Sequence, residues 1–371
     1  MINVFEPEIG QEEIDAVVDA LKKGEISGSF GSYLPEFENK FAAFCGTKYG
    51  VAVSSGTTAL QLAVAALEIG QGDEVLVSAN TNIATALACY HNNAVAISVD
   101  SENETWNLDL DLIENLITPK TKAMIPVHIY GHPVDMDHLN SIAKKHNLAV
   151  IEDCAEAHGA TVRGKAVGGL GDAGCFSFYA NKIITTGEGG MVVTNNKALA
   201  DRLKLLRNLS FTQPRFRHEL PGYNFRMTGM QAALGVAQLK KIDRFIEQRR
   251  NMAKMYNQAL ADITELQLPV EKDWARNVYW MYAVVLNKKS GRTRQDLVEF
   301  LTKKGIDTRT MFCPMNMQPF LMKQEGYRAI DCPVAENLWE NGFYLPSSNN
   351  LTEKEISYIA GQLKEFFSSR A

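Results

Sequence analysis

The sequence predicts an α/β fold: a mostly parallel central sheet with helices on both faces, followed by a smaller C-terminal α/β domain. Short, continuously apolar segments at 49–53, 74–77, 94–99, 123–127 and 149–152 are typical of buried strands. Segments with apolar residues at helical spacing, at 11–23, 34–45 and 57–67, alternate with them. This alternation favours strand–helix–strand units and therefore a parallel sheet covered on both faces.

The pattern changes near residue 238, which indicates a second domain. A long, charged amphipathic helix is predicted at 239–260. It is followed by a strand at 281–286, a helix at 294–304, a loop containing prolines at 312–320 and a helix at 353–367. We therefore expect a large domain at 1–245 and a small C-terminal domain at 246–371, since 371 residues suffice for about two domains.

Composition excludes several classes of protein. Hydrophobic residues make up 46% of the chain, charged residues 22%, and the net charge is −5. A mildly acidic chain has no electrostatic basis for binding nucleic acid or an anionic membrane surface. No apolar run approaches the roughly 18 residues of a membrane span, and the start of the chain does not resemble a signal peptide. The six scattered cysteines predict reduced core residues and a cytoplasmic location.

Three separated segments together suggest a phosphate-bearing ligand and a reactive amine. Small residues at 54–58 connect a strand to a helix, where backbone N–H groups suit a phosphate, although a simple helix cap would look the same. Asp153 ends a buried strand, where ligands of parallel sheets bind, although acids there are as often caps or ion-pair partners.

The third segment, at 176–190, surrounds Lys182 with aromatic residues and ends in glycines. A lysine among apolar groups loses solvation, which lowers its pKa and favours the neutral amine needed for imine formation. Ser177 lies five positions earlier, close enough to offer its hydroxyl to the same ligand. This context favours a functional lysine over an ordinary surface lysine.

These segments resemble the DegT/DnrJ/EryC1/StrS family of sugar aminotransferases, which depend on pyridoxal 5′-phosphate (PLP) and have the fold-type I, aspartate aminotransferase-like architecture. The resemblance covers nearly the whole chain. Its anchors are SSGTTAL at 54–60, IPVHIYG at 125–131, IEDCAEAHGA at 151–160, GDAGCFSFYANKIITTGEGGMVVT at 171–194 and GYNFRMTGMQAALGVAQL at 222–239.

The resemblance implies a role for each matching position. Lys182 matches the lysine that holds PLP as a Schiff base and then acts as a general acid–base. Asp153 matches the aspartate that pairs with the pyridine nitrogen, and Glu156 matches a position over the cofactor face near its phenolic oxygen. The expected phosphate cup comprises Gly56, Thr57, Thr58 and Ser177.

The resemblance also implies a homodimer with shared active sites, possibly a tetramer. Asn224 and Arg226 match the segment through which a neighbouring subunit reaches the cofactor phosphate. The implied reaction transfers an amino group from glutamate to a nucleotide-linked 4-keto-6-deoxy sugar, for surface polysaccharide synthesis. Candidate substrate contacts are Ser27, Tyr282, Arg309 and Asn316.

Two departures from the family pattern leave the substrate open. Asn82, a cofactor-binding candidate, stands where relatives place an aromatic ring that stacks on PLP, and Asn316 stands where relatives often have histidine. A small keto-phosphate or another non-sugar ketone is therefore an alternative substrate. A dehydratase of this family would carry histidine in place of Lys182, and a non-catalytic regulator would be expected to lack the lysine, aspartate and serine. No histidine or cysteine spacing predicts a metal site.

Overall fold

The computed structural model describes residues 1–287 and 290–368, whose strands form sheets of seven, four and three strands. We call the part around the seven-stranded sheet the large unit and the part around the four-stranded sheet the small unit. The strands are β1 (Tyr49–Val53), β2 (Glu74–Ser78), β3 (Val95–Val99), β4 (Thr121–Ile125), β5 (Ala149–Asp153), β6 (Thr161–Val162), β7 (Lys165–Ala166), β8 (Ala173–Ser177), β9 (Gly190–Thr194), β10 (Leu266–Gln267), β11 (Ala275–Arg276), β12 (Tyr282–Leu286), β13 (Arg309–Thr310) and β14 (Gly342–Leu345).

Helices flank both units. They are α1 (Gln11–Lys22), α2 (Tyr33–Phe44), α3 (Gly56–Ala66), α4 (Ala84–Tyr90), α5 (Leu110–Leu116), α6 (Met136–His146), α7 (Lys197–Arg207), α8 (Gly229–Leu239), α9 (Ile242–Leu260), α10 (Arg294–Lys303), α11 (Pro333–Asn341) and α12 (Glu353–Ser368). None of the helices in the described part of the chain has both the length and the apolar character that crossing a membrane requires.

The large sheet has seven strands in the order β1-β9-β8-β5-β4-β2-β3. Its pairs are parallel except for those of β9, which runs antiparallel to both β1 and β8. The predicted mostly parallel sheet is therefore confirmed. In this register Gly190 lies opposite Val53 on one side and Ser177 on the other, which brings the turn after β1 beside the end of β8.

Two apolar layers cover the two faces of this sheet. One contains Phe37 and Phe41 of α2 with Phe176 of β8, and the other contains Leu60 and Leu62 of α3. Both layers consist of fully buried side chains, as expected for a sheet that carries helices on each face.

The five strands predicted for the large domain are all present. β1 matches its prediction, and β2, β3 and β5 differ by one residue, whereas β4 starts and ends two residues earlier than expected. The sequence analysis did not predict β8, β9 or β14. β8 and β9 flank the lysine segment, where glycines weaken the strand pattern even though both strands are fully buried.

The small unit contains a four-stranded sheet in the order β10-β12-β14-β13, with α9, α10 and α12 packed around its core. The predicted helix at 239–260 is interrupted by a turn at 240–241, so α8 and α9 are separate. The predicted boundary at 245/246 lies inside α9. The N-terminus also packs on the small unit, because Ile2 pairs with Ile306 and its N–H donates to Gly305.

Candidate active site

A cavity of about 310 Å³ opens at the carboxyl ends of the parallel strands, next to the small unit. This is the edge at which ligands of open α/β sheets bind. Seven of the sequence-predicted residues line it: Gly56, Thr57, Asn82, Asp153, Glu156, Ser177 and Lys182. A larger groove of about 720 Å³ runs along the sheet edge at Glu74 and Lys120, but its lining combines none of these groups.

Lys182 reaches the cavity from the segment between β8 and β9. Burial lowers the pKa of its amine, while the carboxylates of Glu156 and Asp153 act in the opposite direction. Its Nζ lies 3.8 Å from the centroid of the Trp280 ring. The predicted desolvated lysine is therefore present, and its neutral amine is easier to reach than that of a surface lysine.

Asp153 ends β5 with its side chain only 4% exposed. Burial raises the pKa of its carboxyl, and hydrogen bonds from the Thr85 hydroxyl (2.8 Å) and the Ala155 N–H (3.1 Å) oppose that rise. A buried carboxylate gains most from a cationic partner placed in the cavity. Thr85, fully buried on α4, was not identified from the sequence, since no motif there marks a hydroxyl that faces Asp153.

The turn from β1 into α3 and the end of β8 form one concave surface. A Cβ added at Gly56 would lie 2.6 Å from Cβ of Ser177, so only glycine permits this approach. Ser55, the N-cap of α3, accepts a hydrogen bond from the Thr58 N–H at 3.1 Å. The start of α3 thus presents backbone donors and its positive dipole end to the cavity, which suits a phosphate.

Thr58 does not line the cavity, which changes its expected role. Its hydroxyl donates to the Ser55 carbonyl at 2.9 Å and accepts from the Ser55 N–H at 3.0 Å. The side chain is therefore occupied by the helix cap, and it supports the cup indirectly. Ser55, which was not predicted as part of the phosphate cup, lines the cavity itself.

Glu156 is 2% exposed and accepts a hydrogen bond from the Tyr130 N–H at 2.7 Å. Burial raises the pKa of its carboxyl to about 7, although Lys182 and this hydrogen bond favour the ionised form. Tyr130 has a left-handed backbone, with φ of 52°, which non-glycine residues adopt only when their surroundings hold them there. The strain directs its N–H at Glu156.

Asn82 lines the cavity and is exposed, and its side-chain oxygen accepts a hydrogen bond from the Ala84 N–H at 3.0 Å. Aromatic rings reach the cavity from the small unit instead. Trp280, Phe312 and Tyr344 form that wall, with Tyr130 stacked against both Trp280 and Phe312. Phe312 and Tyr344 were not singled out from the sequence, because no motif around them marks a ring that faces the lysine.

Tyr282 is not a substrate contact in this fold, and that expectation is wrong. Its side chain is 0% exposed, stacks on Tyr256 in the core of the small unit and donates its hydroxyl hydrogen to Asn257 at 2.6 Å. The strand begins only at Tyr282, and Tyr279 has a φ of 47°. This turn ends just before β12, and Tyr282, as the first residue of that strand, packs into the core of the small unit.

The other tentative contacts lie outside the cavity lining of this single chain. Arg309 is exposed and paired with Asp307, and it sits opposite Tyr344, which does line the cavity. Asn316 donates to Glu336 at 2.9 Å. Ser27 lies in the loop before α2, where its hydroxyl accepts from Ser29 N–H at 3.2 Å.

Asn224 and Arg226 also lie outside that lining. Arg226 forms a bridge with Val53 and donates to Asn208 at 2.8 Å, while Asn224 forms a bridge with Asn208. Both positions belong to one segment laid along the end of β1.

His128, Glu152 and Cys154 bring possible metal-ligand atoms within 4.8 Å of one another. The ligand atoms are already engaged. His128 Nδ1 accepts from the Val134 N–H at 3.0 Å and its Nε2 lies 3.2 Å from the Glu152 carboxylate, which also accepts three backbone N–H groups, those of Gly168, Leu170 and Gly171. These hydrogen bonds connect β5 to the loop before β8, so we assign this cluster a structural role.

The sequence model of the DegT/DnrJ/EryC1/StrS aminotransferase family matches residues 7–364. The chain belongs to this family. The GDP-perosamine synthases of Caulobacter vibrioides and Escherichia coli O157:H7 are each 42% identical to it. The first alignment covers 98% of both chains, and the second covers 100% of this chain and 99% of the relative.

Solved structures agree with this assignment. DesV of S. venezuelae, in complex with a ketimine intermediate, superposes with a TM-score of 0.90 at 35% identity and covers 97% of this chain and 95% of its own. A mutant of the dehydratase ColD with bound GDP-perosamine has a TM-score of 0.90 at 28% identity, covering 98% and 100%. The protein is a PLP-dependent aminotransferase with the fold of that enzyme class.

The cavity fits PLP on its own geometry. The close approach of Gly56 to Ser177 leaves a concave backbone surface for a phosphate, Asp153 is buried with room for a cationic partner, and the Lys182 amine faces the same space. The concave backbone surface suits an anion, Asp153 suits a protonated ring nitrogen, and the Lys182 amine suits an aldehyde. PLP carries these three groups, and when bound it supplies an electron sink that stabilises a carbanion.

Proposed function

We propose that this aminotransferase uses glutamate to aminate a GDP-linked 4-keto-6-deoxy sugar, giving a GDP-amino sugar for surface polysaccharide synthesis. The observation that carries the proposal is the 42% identity, over 98% of both chains, to a relative named GDP-perosamine synthase. The segment NKIITTGEGGM around Lys182 is typical of those enzymes. The superposition with a structure that contains GDP-perosamine supports the same sugar class.

The proposed reaction needs a group that carries a proton, and Lys182 is suited to it. Its desolvated amine is neutral at a lower pH than an exposed lysine, so it can accept a proton inside the cavity and return it. Glu156, next to it, provides a carboxyl whose pKa of about 7 lets it hold or give up a proton near neutral pH.

The remaining residues bind and orient. Asp153, supported by Thr85, offers a carboxylate to a protonated ring nitrogen. The start of α3 and Ser177 bind an anion and so fix one end of the bound group. Trp280, Phe312 and Tyr344 exclude water from the side of the cavity that belongs to the small unit.

We propose a homodimer, or a tetramer made of two such dimers, in which Asn224 and Arg226 of each subunit reach the other's cavity. Their segment ends beside β1, at the margin of the cup, yet neither side chain lines the cavity of its own chain. Ser27, Arg309 and Asn316 remain proposed contacts of the nucleotide under this arrangement. We place the reaction in the cytoplasm, and the free cysteines support a reducing compartment.

The test is a substrate comparison with purified enzyme, PLP and glutamate. GDP-4-keto-6-deoxymannose should be converted to an amino sugar nucleotide detected by mass spectrometry, with release of 2-oxoglutarate. A dTDP-linked 4-keto-6-deoxy sugar and a small keto-phosphate serve as competing substrates, and Lys182→Ala serves as the inactive control. If kcat/KM is highest for the keto-phosphate, the sugar nucleotide assignment is wrong.

A further inference from the structure

Trp280 faces the reactive lysine directly. The Lys182 Nζ lies 3.8 Å from the centroid of the indole ring, well inside the range in which a cation is attracted by an aromatic face. Both residues line the same cavity, although they approach it from different units of the fold. No hydrogen bond joins them among the described residues, so the ring face is the contact through which Trp280 acts on the amine.

The indole is held in place from three sides. Its Nε1–H donates to the Asn181 carbonyl at 2.7 Å, directly beside Lys182 in the chain. Its ring is nearly parallel to that of Tyr130, at 8° and a centroid separation of 6.4 Å. Its backbone carbonyl accepts from Arg249 Nη1 at 2.6 Å, and the whole residue is 3% exposed. A side chain fixed in this way cannot turn away from the lysine.

Arg249, on α9, is an unusual anchor because it is 0% exposed. Burial lowers the pKa of its guanidinium to about 9. Within residues 1–287 and 290–368 it forms no ion pair. Its donors go instead to the Trp280 carbonyl and, at 2.6 Å, to the Asn349 side chain. Burying an arginine costs free energy. Here its hydrogen bond connects the loop that carries Trp280 to α9.

We propose that Trp280 is a positioning residue for Lys182, in which the indole face holds the amine in the cavity and favours its charged form, and that Arg249 keeps the indole in that position. The proposal rests on the proton-carrying role of Lys182 under the proposed function. When Lys182 accepts a proton it becomes an ammonium in a desolvated site. The negative face of the ring then stabilises that ammonium at the point where it forms.

Burial and other titratable groups also influence the protonation of the Lys182 amine. Glu156 and Asp153 favour the charged amine, and burial opposes it. His158, fully buried behind the site, has its pKa lowered to about 3 by burial and stays neutral near neutral pH. Glu188 lines the cavity from the turn that follows the lysine. None of these residues is itself substituted when the ring at position 280 is replaced.

The test compares Trp280→Phe with Trp280→Leu. Both leave a smaller side chain and lose the indole N–H, so their difference isolates the aromatic face. The readout is the rate at which acetic anhydride acetylates Lys182 in the full-length apoprotein, measured by peptide mass spectrometry from neutral to alkaline pH, because only the neutral amine reacts. The pKa of Lys182 in the leucine variant should lie about one unit below that in the phenylalanine variant.

A second pair tests the anchor. Arg249→Met should lower the pKa of Lys182, by less than Trp280→Leu does. Arg244→Met should leave that pKa at the wild-type value, because Arg244 lies on the exposed side of the same helix and is paired with Glu8. Circular dichroism melts show which variants are folded. This pair decides the proposal if Trp280→Leu does not fold.

The proposal is overturned if the folded Trp280→Leu and Trp280→Phe variants have equal Lys182 pKa values. If Trp280→Leu does not fold, a wild-type Lys182 pKa in folded Arg249→Met overturns it instead. The labelling uses no sugar and no amino donor. A failure of the sugar nucleotide assignment would therefore leave this result unaffected, and the two outcomes are distinguishable. In the holoenzyme, Trp280→Leu should lower kcat relative to Trp280→Phe with little change in KM.

Discussion

The hydrogen bond from Thr85 to Asp153 yields a quantitative prediction. Thr85→Val keeps the shape of a fully buried side chain and removes the hydroxyl that donates to the Asp153 carboxylate at 2.8 Å. A hydrogen bond to a charged group contributes about 1.5–3 kcal/mol. Its loss should therefore raise the pKa of Asp153 by about one to two units beyond the rise that burial already causes.

The direction of the pKa shift of Asp153 determines how activity changes with pH. An acid whose pKa rises holds its proton to a higher pH, so the ionised carboxylate needed by the cofactor ring is present over a narrower, more alkaline range. The expected result is a shift of the acidic limb of the kcat/KM profile by about one to two pH units toward alkaline pH, so that activity lost at low pH returns as the pH increases. Steady-state kinetics across pH, with glutamate and the keto-sugar nucleotide, measure it.

Thr85→Ser is the matched control, because it retains the hydroxyl and loses only a methyl group. It should stay close to wild type in kcat/KM and in PLP binding. The reasoning is refuted if Thr85→Val folds normally, shows the wild-type pH profile of kcat/KM and binds PLP as tightly as the serine variant. That outcome would mean that the ionisation of Asp153 does not depend on this hydroxyl.

Three further predictions concern the same cavity. Lys182→Ala should lose the visible absorption of the bound cofactor and reduce kcat by more than about a thousandfold, since its amine carries the proton; an unchanged spectrum would contradict the assignment. Gly56→Ala should weaken PLP binding about tenfold or more in equilibrium dialysis, because the new Cβ would lie 2.6 Å from Ser177 Cβ. The control Gly361→Ala, where an added Cβ meets nothing within 4 Å, should not weaken PLP binding. The pH profile of kcat/KM should show a step near 7, where Glu156 passes from protonated to ionised as pH rises, and Glu156→Gln should remove that step.

The cofactor chemistry could be predicted from the sequence because it depends on short segments. Lys182, Asp153 and Ser177 each follow or end a buried strand, and the ends of neighbouring parallel strands meet at one edge of a sheet. An apolar run marked β5, which ends at Asp153, whereas β8, which ends at Ser177, was not predicted. The residue types and their local context were therefore enough to bring the groups together in one predicted site.

The opposite wall of the cavity could not be predicted in this way. Trp280, Phe312 and Tyr344 converge on Lys182 only after the small unit has packed against the large one. Their direction depends on local backbone turns, such as the positive φ at Tyr279, that no periodicity in the sequence reveals.

The sequence by itself determined the fold class and the reactive lysine from local patterns of apolar, small and charged residues, and its resemblance to the family implied the cofactor. Only the tertiary structure decided the electrostatic environment of that lysine. Burial, the Glu156 carboxylate and the Trp280 ring set the state of its amine, and each acts through space between elements that are distant in the chain. Such distances depend on packing, which a linear sequence pattern does not encode.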